Sequence, residues 1–184
     1  IGTKHAIGLN SCTAALHLSC LALGIKTGDE VIVPAMSHTA TSHAVEYTGA
    51  KAVFVDIDLA TGNIDPEKIS KKISKKTKAI IIVHMAGLVC KIDSIQKICK
   101  KFKIKLIEDC AHSVGTKFDS THAGNFGISG CFSFYPTKNL SALGDAGAIL
   151  TNCTKTAEKI KSLRNHGRGS ENLIGRNSRC DHLQ

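Results

Sequence analysis

The sequence predicts an α/β fold with three layers, helices covering both faces of a mostly parallel sheet. Three observations carry that reading. Short apolar runs alternate with helix-length segments whose apolar residues recur every three or four positions. The run Lys78–His84 is almost uninterrupted in its apolar character, as in a strand buried on both faces. At 184 residues and 42% hydrophobic content, the chain is long enough for one sizeable core.

Each element follows from local signals. Thr13–Leu23 is a helix, with Ser11 available as its cap and Gly24 as its stop. Glu30–Val33 is a short buried strand ended by Pro34. Thr39–Thr48 is a second helix closed by Gly49, and Ala52–Asp56 is the next strand. Asp65-Pro66 supplies a cap and a proline at the first helical position, opening a helix that runs to about Ser74. Lys78–His84 is the third strand. Asp93 and Gln96 have capping-box spacing, which starts a helix there that runs to about Phe102. Lys105–Asp109, Gly130–Tyr135 and Gly147–Thr151 are further strands, the last two around a turn containing Gly and Lys. Thr154–Arg164 is the final amphipathic helix, and the polar, Gly-rich stretch 167–179 is an irregular excursion.

Strand–helix–strand order implies parallel pairing through right-handed crossovers. Ligands of open parallel sheets sit beyond the carboxyl ends of the strands. That rule puts Asp56, His84, Asp109 and Lys138 near one edge.

Composition excludes several classes. No window approaches the roughly 18 apolar residues needed to span a bilayer. The start carries no charged-then-apolar leader, so a cytoplasmic location is expected. Ile1 in place of Met, and an end at Asp181–Gln184 without a tapering tail, lead us to expect a chain truncated at both ends. The eight cysteines contain no C-x-x-C pair and mostly lie in apolar runs, which reads as reduced, buried thiols. The nine histidines show no metal-ligand spacing, so no metal is expected. The formal charge of +9 is concentrated in Lys68–Lys78 and Lys97–Lys105. Ile69, Ile73, Ile95, Ile98 and Phe102 recur at helical spacing between those lysines. The pattern is that of helices with one buried stripe and one solvated face, and it argues against nucleic acid.

The chemistry-bearing residues cluster at strand ends. Lys138 follows an apolar strand, and a lysine at the mouth of a sheet can bond a carbonyl carbon when its amine is neutral. Ser133 lies on the same strand. Asp109 ends Lys105–Asp109, where a carboxylate can pair with a protonated ring nitrogen. Ser11, Cys12 and Thr13 open the first helix, where backbone N–H groups and hydroxyls can receive a phosphate. Ordinary capping and turn roles explain each of these residues taken singly. The nucleotide signatures G-x-x-x-x-G-K-[ST] and G-x-G-x-x-G are absent.

Taken together the segments Asn10–Leu16, Gly28–Pro34, Ile107–His112, Gly130–Asn139, Leu143–Ala148 and Leu163–Gly167 resemble the DegT/DnrJ/EryC1/StrS family of sugar aminotransferases, in the family's order and spacing. The resemblance implies the large domain of a fold-type I aminotransferase dependent on pyridoxal 5'-phosphate, spanning 1–184, with the C-terminal small domain absent. It implies that Lys138 carries the coenzyme and moves the proton, and that Asp109 pairs with the pyridinium nitrogen. Cys12, Thr13 and Ser133 match phosphate-binding positions, and Cys12 stands where Gly or Ala is usual. His112 falls near the coenzyme's phenolic oxygen, and His38 where an aromatic ring usually stacks on the coenzyme. Asn177 matches a segment that reaches the phosphate of the partner subunit's site, which implies a homodimer with shared active sites.

The implied reaction is amino transfer onto a nucleotide-linked keto-sugar from an amino acid, glutamate being the expected donor, in amino-sugar or polysaccharide biosynthesis. Two alternatives share the fold. One is a sugar dehydratase, in which histidine replaces the lysine. The other is a non-catalytic regulatory homologue, which has no need to keep both Lys138 and Asp109.

Overall fold

The computed structural model describes residues 1–168. Along them run β1 (His5–Leu9), α1 (Cys12–Ala22), β2 (Glu30–Pro34), α2 (Ala40–Glu46), β3 (Lys51–Val55), α3 (Pro66–Lys72) and β4 (Thr77–Val83). There follow α4 (Ile92–Phe102), β5 (Lys105–Asp109), β6 (Lys117–Phe118), β7 (Thr121–His122), β8 (Ser129–Ser133), β9 (Gly147–Thr151) and α5 (Thr154–Arg164). Seven strands form one sheet in the order β1-β9-β8-β5-β4-β2-β3, and β6 and β7 form a separate two-stranded ribbon. From β8 to β3 every pairing is parallel, while β9 runs antiparallel to both β8 and β1.

The two-residue period of a strand sorts the apolar side chains into two cores. Val31, Val33, Ala79, Ile81 and Ile107 face one way and pack with Leu16, Val45 and Ile160 from α1, α2 and α5. Ile32, Ile80, Ile82 and Leu106 face the other way and pack with Ile69, Ile92 and Ile95 from α3 and α4. The three layers expected from the sequence are therefore present. Each fully buried isoleucine contributes about 2 kcal/mol through removal from water, and Ile32, Ile80, Ile81, Ile82 and Ile107 all lie in the central strands.

Local signals were right at several ends. Ser11 caps α1 by accepting from Ala14 N at 3.1 Å. Asp65 caps α3 by accepting from Glu67 N, with Pro66 just inside the helix. Two expectations need correction. α4 begins at Ile92, with Lys91 at the cap position and no side-chain cap, so Asp93 sits inside the first turn. There its charge favours the positive end of the helix dipole and does not cap. The strand expected over Gly130–Tyr135 ends at Ser133, because the chain turns at Pro136 and Lys138 N bonds back to Tyr135 O at 2.9 Å. β1 was not foreseen. It is held to the sheet by β9, which it meets in register from His5↔Thr151 to Leu9↔Gly147.

Candidate active site

The sheet aligns the carboxyl ends of β1, β2, β4, β5 and β8 along one edge, since Val83 lies opposite Asp109, Asp109 opposite Cys131, and Ser133 opposite Gly147. Beyond that edge lies a cavity of about 540 Å³, within the range of small-molecule sites. Cys12, Thr13, His38, Asp109, His112, Ser133 and Lys138 all line it. So seven of the eight expected site residues converge. Asn177 lies outside the described residues.

The expected strand-end residues Asp56 and His84 do not join them. Asp56 is exposed and pairs with Lys68 at 3.6 Å. His84 is fully buried and bonds Glu108 Oε2 through Nε2 at 3.0 Å. Cys90 N donates to its Nδ1 at 3.2 Å, which puts the ring proton on Nε2.

Asp109 is the most closely held group in the cavity. It is buried at the end of β5, on the face that packs against α1. Its Oδ1 accepts from Ala111 N at 3.1 Å and lies 3.7 Å from the Cys12 thiol. Its Oδ2 accepts from the Thr41 hydroxyl at 3.0 Å. Burial, and then the Asp109 charge, push the Cys12 thiol well above its ordinary pKa, so it acts as a neutral neighbour. Thr41 is buried in α2, and sequence reading missed it. Its spacing with Ala44 and Val45 on one helix face was the available signal.

Above the carboxylate, Cys12 and Thr13 open the 11-residue helix α1. The first N–H groups of a helix have no partner within it and carry its positive end. Gly147 packs directly against this start. A Cβ there would stand 2.5 Å from Ser11 O and 2.7 Å from Cys12 N, both backbone atoms that cannot swing aside. Gly147→Ala is expected to cost about 1–3 kcal/mol through overpacking. It should also displace the α1 start, which paired urea denaturation and ligand titration would read together.

At the mouth, Lys138 is half-buried and His38 and His112 are exposed. Ala40 N donates to His38 Nδ1 at 3.1 Å, fixing that ring at the head of α2. Partial desolvation, and then the Lys138 cation, lower the pKa of His112 and so favour its neutral form. Tyr135, Thr137 and Asp145 also line the cavity, although none was singled out as a site residue from sequence.

The donor set suits a flat, anionic, ring-bearing cofactor. Helix N–H groups and the Ser133 hydroxyl suit a phosphate, Asp109 suits a ring N–H, and Lys138 suits a carbonyl carbon. A metal fits less well. Among the described residues His84, Glu108 and Cys110 approach closely enough to hold a cation. However, the Glu108 carboxylate already accepts from His84, Gly124 N, Phe126 N and Gly127 N.

The pattern of the DegT/DnrJ/EryC1/StrS aminotransferase family matches residues 1–184. The chain is 47% identical over 186 residues to a dTDP-3-amino-3,6-dideoxy-alpha-D-galactopyranose transaminase of Aneurinibacillus thermoaerophilus, covering 100% of this chain and 51% of the relative. It is 42% identical over 186 residues to a UDP-N-acetyl-3-dehydro-alpha-D-glucosamine 3-aminotransferase of Acidithiobacillus ferrooxidans, covering 100% of this chain and 50% of the relative. The fold superposes on the crystal structure of an aminotransferase from Psychrobacter cryohalolentis with a TM-score of 0.90 and 37% identity, over 91% of this chain and 42% of that one. The chain thus spans about half the length of the curated relatives it matches.

Proposed function

Because this chain belongs to the DegT/DnrJ/EryC1/StrS aminotransferase family, we propose that it is the coenzyme-binding large domain of an enzyme that transfers an amino group from an amino acid, glutamate by preference, to a nucleotide-linked keto-sugar. The observation that carries the reading is the convergence of Asp109 and Lys138 on one cavity headed by the start of α1. Both named relatives act on nucleotide-linked sugars. The family's aminotransferases use pyridoxal phosphate, and one similar structure, from Bacillus subtilis, holds the cofactor as PMP.

Bound pyridoxal phosphate supplies an electron sink for the donor carbon that loses its proton. The protein's part is to hold, orient and move protons. The first N–H groups of α1, at Cys12 and Thr13, and the Ser133 hydroxyl hold the phosphate. Asp109 accepts from the ring N–H and keeps that nitrogen protonated. Lys138 would hold the coenzyme through its amine, and its Nζ would be the group that takes a proton from the donor carbon and returns it. His112, biased to its neutral form, would serve the coenzyme's phenolic oxygen, and the His38 ring would be available to stack on the pyridine. The family resemblance supports a homodimer with shared active sites; Asn177, expected from that resemblance to serve the partner subunit's site, lies outside the described residues. The buried free thiols, six of the seven cysteines among the described residues, support a reducing cytoplasmic setting. Among those residues no helix is long and apolar enough to cross a membrane.

The test is spectroscopic. The intact protein, given pyridoxal phosphate, should acquire a visible absorbance band that glutamate bleaches and a nucleotide-linked keto-sugar restores. Failure to take up the coenzyme would remove the proposal. Uptake without any response to amino donors would support a non-catalytic homologue in its place.

A further inference from the structure

We infer that Thr41, through its hydroxyl, is a positioning residue that sets the orientation of the Asp109 carboxylate toward the bound cofactor. The inference rests on the functional reading above and concerns how its central carboxylate is aimed. A carboxylate turns easily about the bond that joins it to its side chain, because that torsion has broad wells. Its direction must come from hydrogen bonds. Ala111 N, two residues along, fixes Oδ1 from the chain's own turn. Oδ2 is fixed from across the molecule by Thr41, 68 residues away in sequence. Among the described residues Thr41 is the sole donor to Oδ2. Two anchors on different oxygens define the carboxylate plane, where either alone leaves it free to rock.

The direction of the hydrogen bonds is also determined. An ionised carboxylate only accepts, so the Thr41 proton points at Asp109. The Ser37 hydroxyl lies 2.7 Å from Thr41 Oγ1, and since Thr41 has spent its proton, Ser37 donates. The result is a polarised chain, Ser37 to Thr41 to Asp109, that begins at the cavity wall, where Ser37 is part of the lining. Thr41 itself is 1% exposed. A bond to a charged acceptor in such surroundings is among the stronger kinds.

The experiment compares Thr41→Val, which keeps the shape and removes the donor, with Thr41→Ser, which keeps the donor and removes the methyl. In the intact protein, Thr41→Val is expected to raise the dissociation constant for pyridoxal phosphate roughly tenfold. It should also change the intensity or position of the bound coenzyme's visible band. Thr41→Ser should restore both. Wild-type affinity and spectrum in Thr41→Val would overturn the inference, as would equal losses in the two variants, since packing of the methyl would then be the cause. If Thr41→Val does not fold, Ser37→Ala decides, with a loss of about threefold expected and unchanged binding overturning the idea. Failure of the wild-type protein to bind coenzyme is a different result: it removes the functional reading itself and this inference with it.

Discussion

Lys138→Ala should reduce turnover by at least about 10³-fold while leaving the protein folded. The argument has two parts. Lys138 is half-buried in the turn between β8 and β9, and what holds that turn is backbone: Lys138 N to Tyr135 O, Ala142 N to Phe134 O and Phe134 N to Ala146 O. Truncating the side chain breaks none of these bonds, so stability should change by less than about 0.5 kcal/mol, as at ordinary surface positions. Function has no such reserve. The proposed function gives the lysine both the covalent hold on the coenzyme and the proton transfer, and among the described residues no other amine lines the cavity.

Lys138→Arg sharpens the test. It keeps a cation but supplies no nucleophilic nitrogen at working pH, so it should be as inactive as the alanine variant. Activity retained by Lys138→Arg would mean that charge, and not bonding, is what the position provides. In the coenzyme-free protein, removing the Lys138 cation should also let His112 titrate at higher pH, because that cation is second only to desolvation in lowering it. Proton NMR of the imidazole would show the shift.

Much of this site was legible because its main groups sit where rules are local. Asp109 ends one buried strand and Lys138 follows another, and the ends of parallel strands are where ligands bind. Cys12 and Thr13 open a helix that its serine cap announces. The strands of the central sheet were legible too, most plainly β4, which is buried on both faces and reads as an apolar run. What was not legible depends on partners far away in sequence. Thr41 looks like any hydroxyl in a short helix until Asp109 is folded beside it. β1 has glycine within it and was passed over, because only β9, some 140 residues later, gives it hydrogen-bond partners. The ribbon of β6 and β7 is two residues per strand and has no period to detect. Glu108 is the clearest case. The pleat puts it on the same face as Leu106, which is buried, so a charged residue in a closed core was implied. The groups that make it tolerable come from a loop 16 to 19 residues downstream.

That loop makes Glu108 the position where a single change should cost the most stability. The carboxylate is fully buried and accepts four hydrogen bonds. Oε2 takes His84 Nε2 at 3.0 Å and Gly124 N at 2.7 Å. Oε1 takes Phe126 N at 2.7 Å and Gly127 N at 2.6 Å. Glu108→Ala strands all four donors in the core, and at the cost of breaking a buried polar pair the loss should be about 3–5 kcal/mol. Glu108→Gln is the more searching variant, because it preserves shape. An amide has one acceptor oxygen, whereas both carboxylate oxygens face backbone N–H groups. Either orientation of the amide therefore sets its NH₂ against at least one backbone donor, and a tautomer change at His84 cannot help, since Gly124 N, Phe126 N and Gly127 N cannot reverse. A loss of about 2 kcal/mol is expected for it from one unsatisfied buried pair. Urea denaturation of the two variants against the wild type measures both. A change below about 0.5 kcal/mol in Glu108→Gln, the level of an ordinary surface substitution, would show that the loop relaxes around the amide. The carboxylate would then not be what closes this side of the sheet behind Asp109.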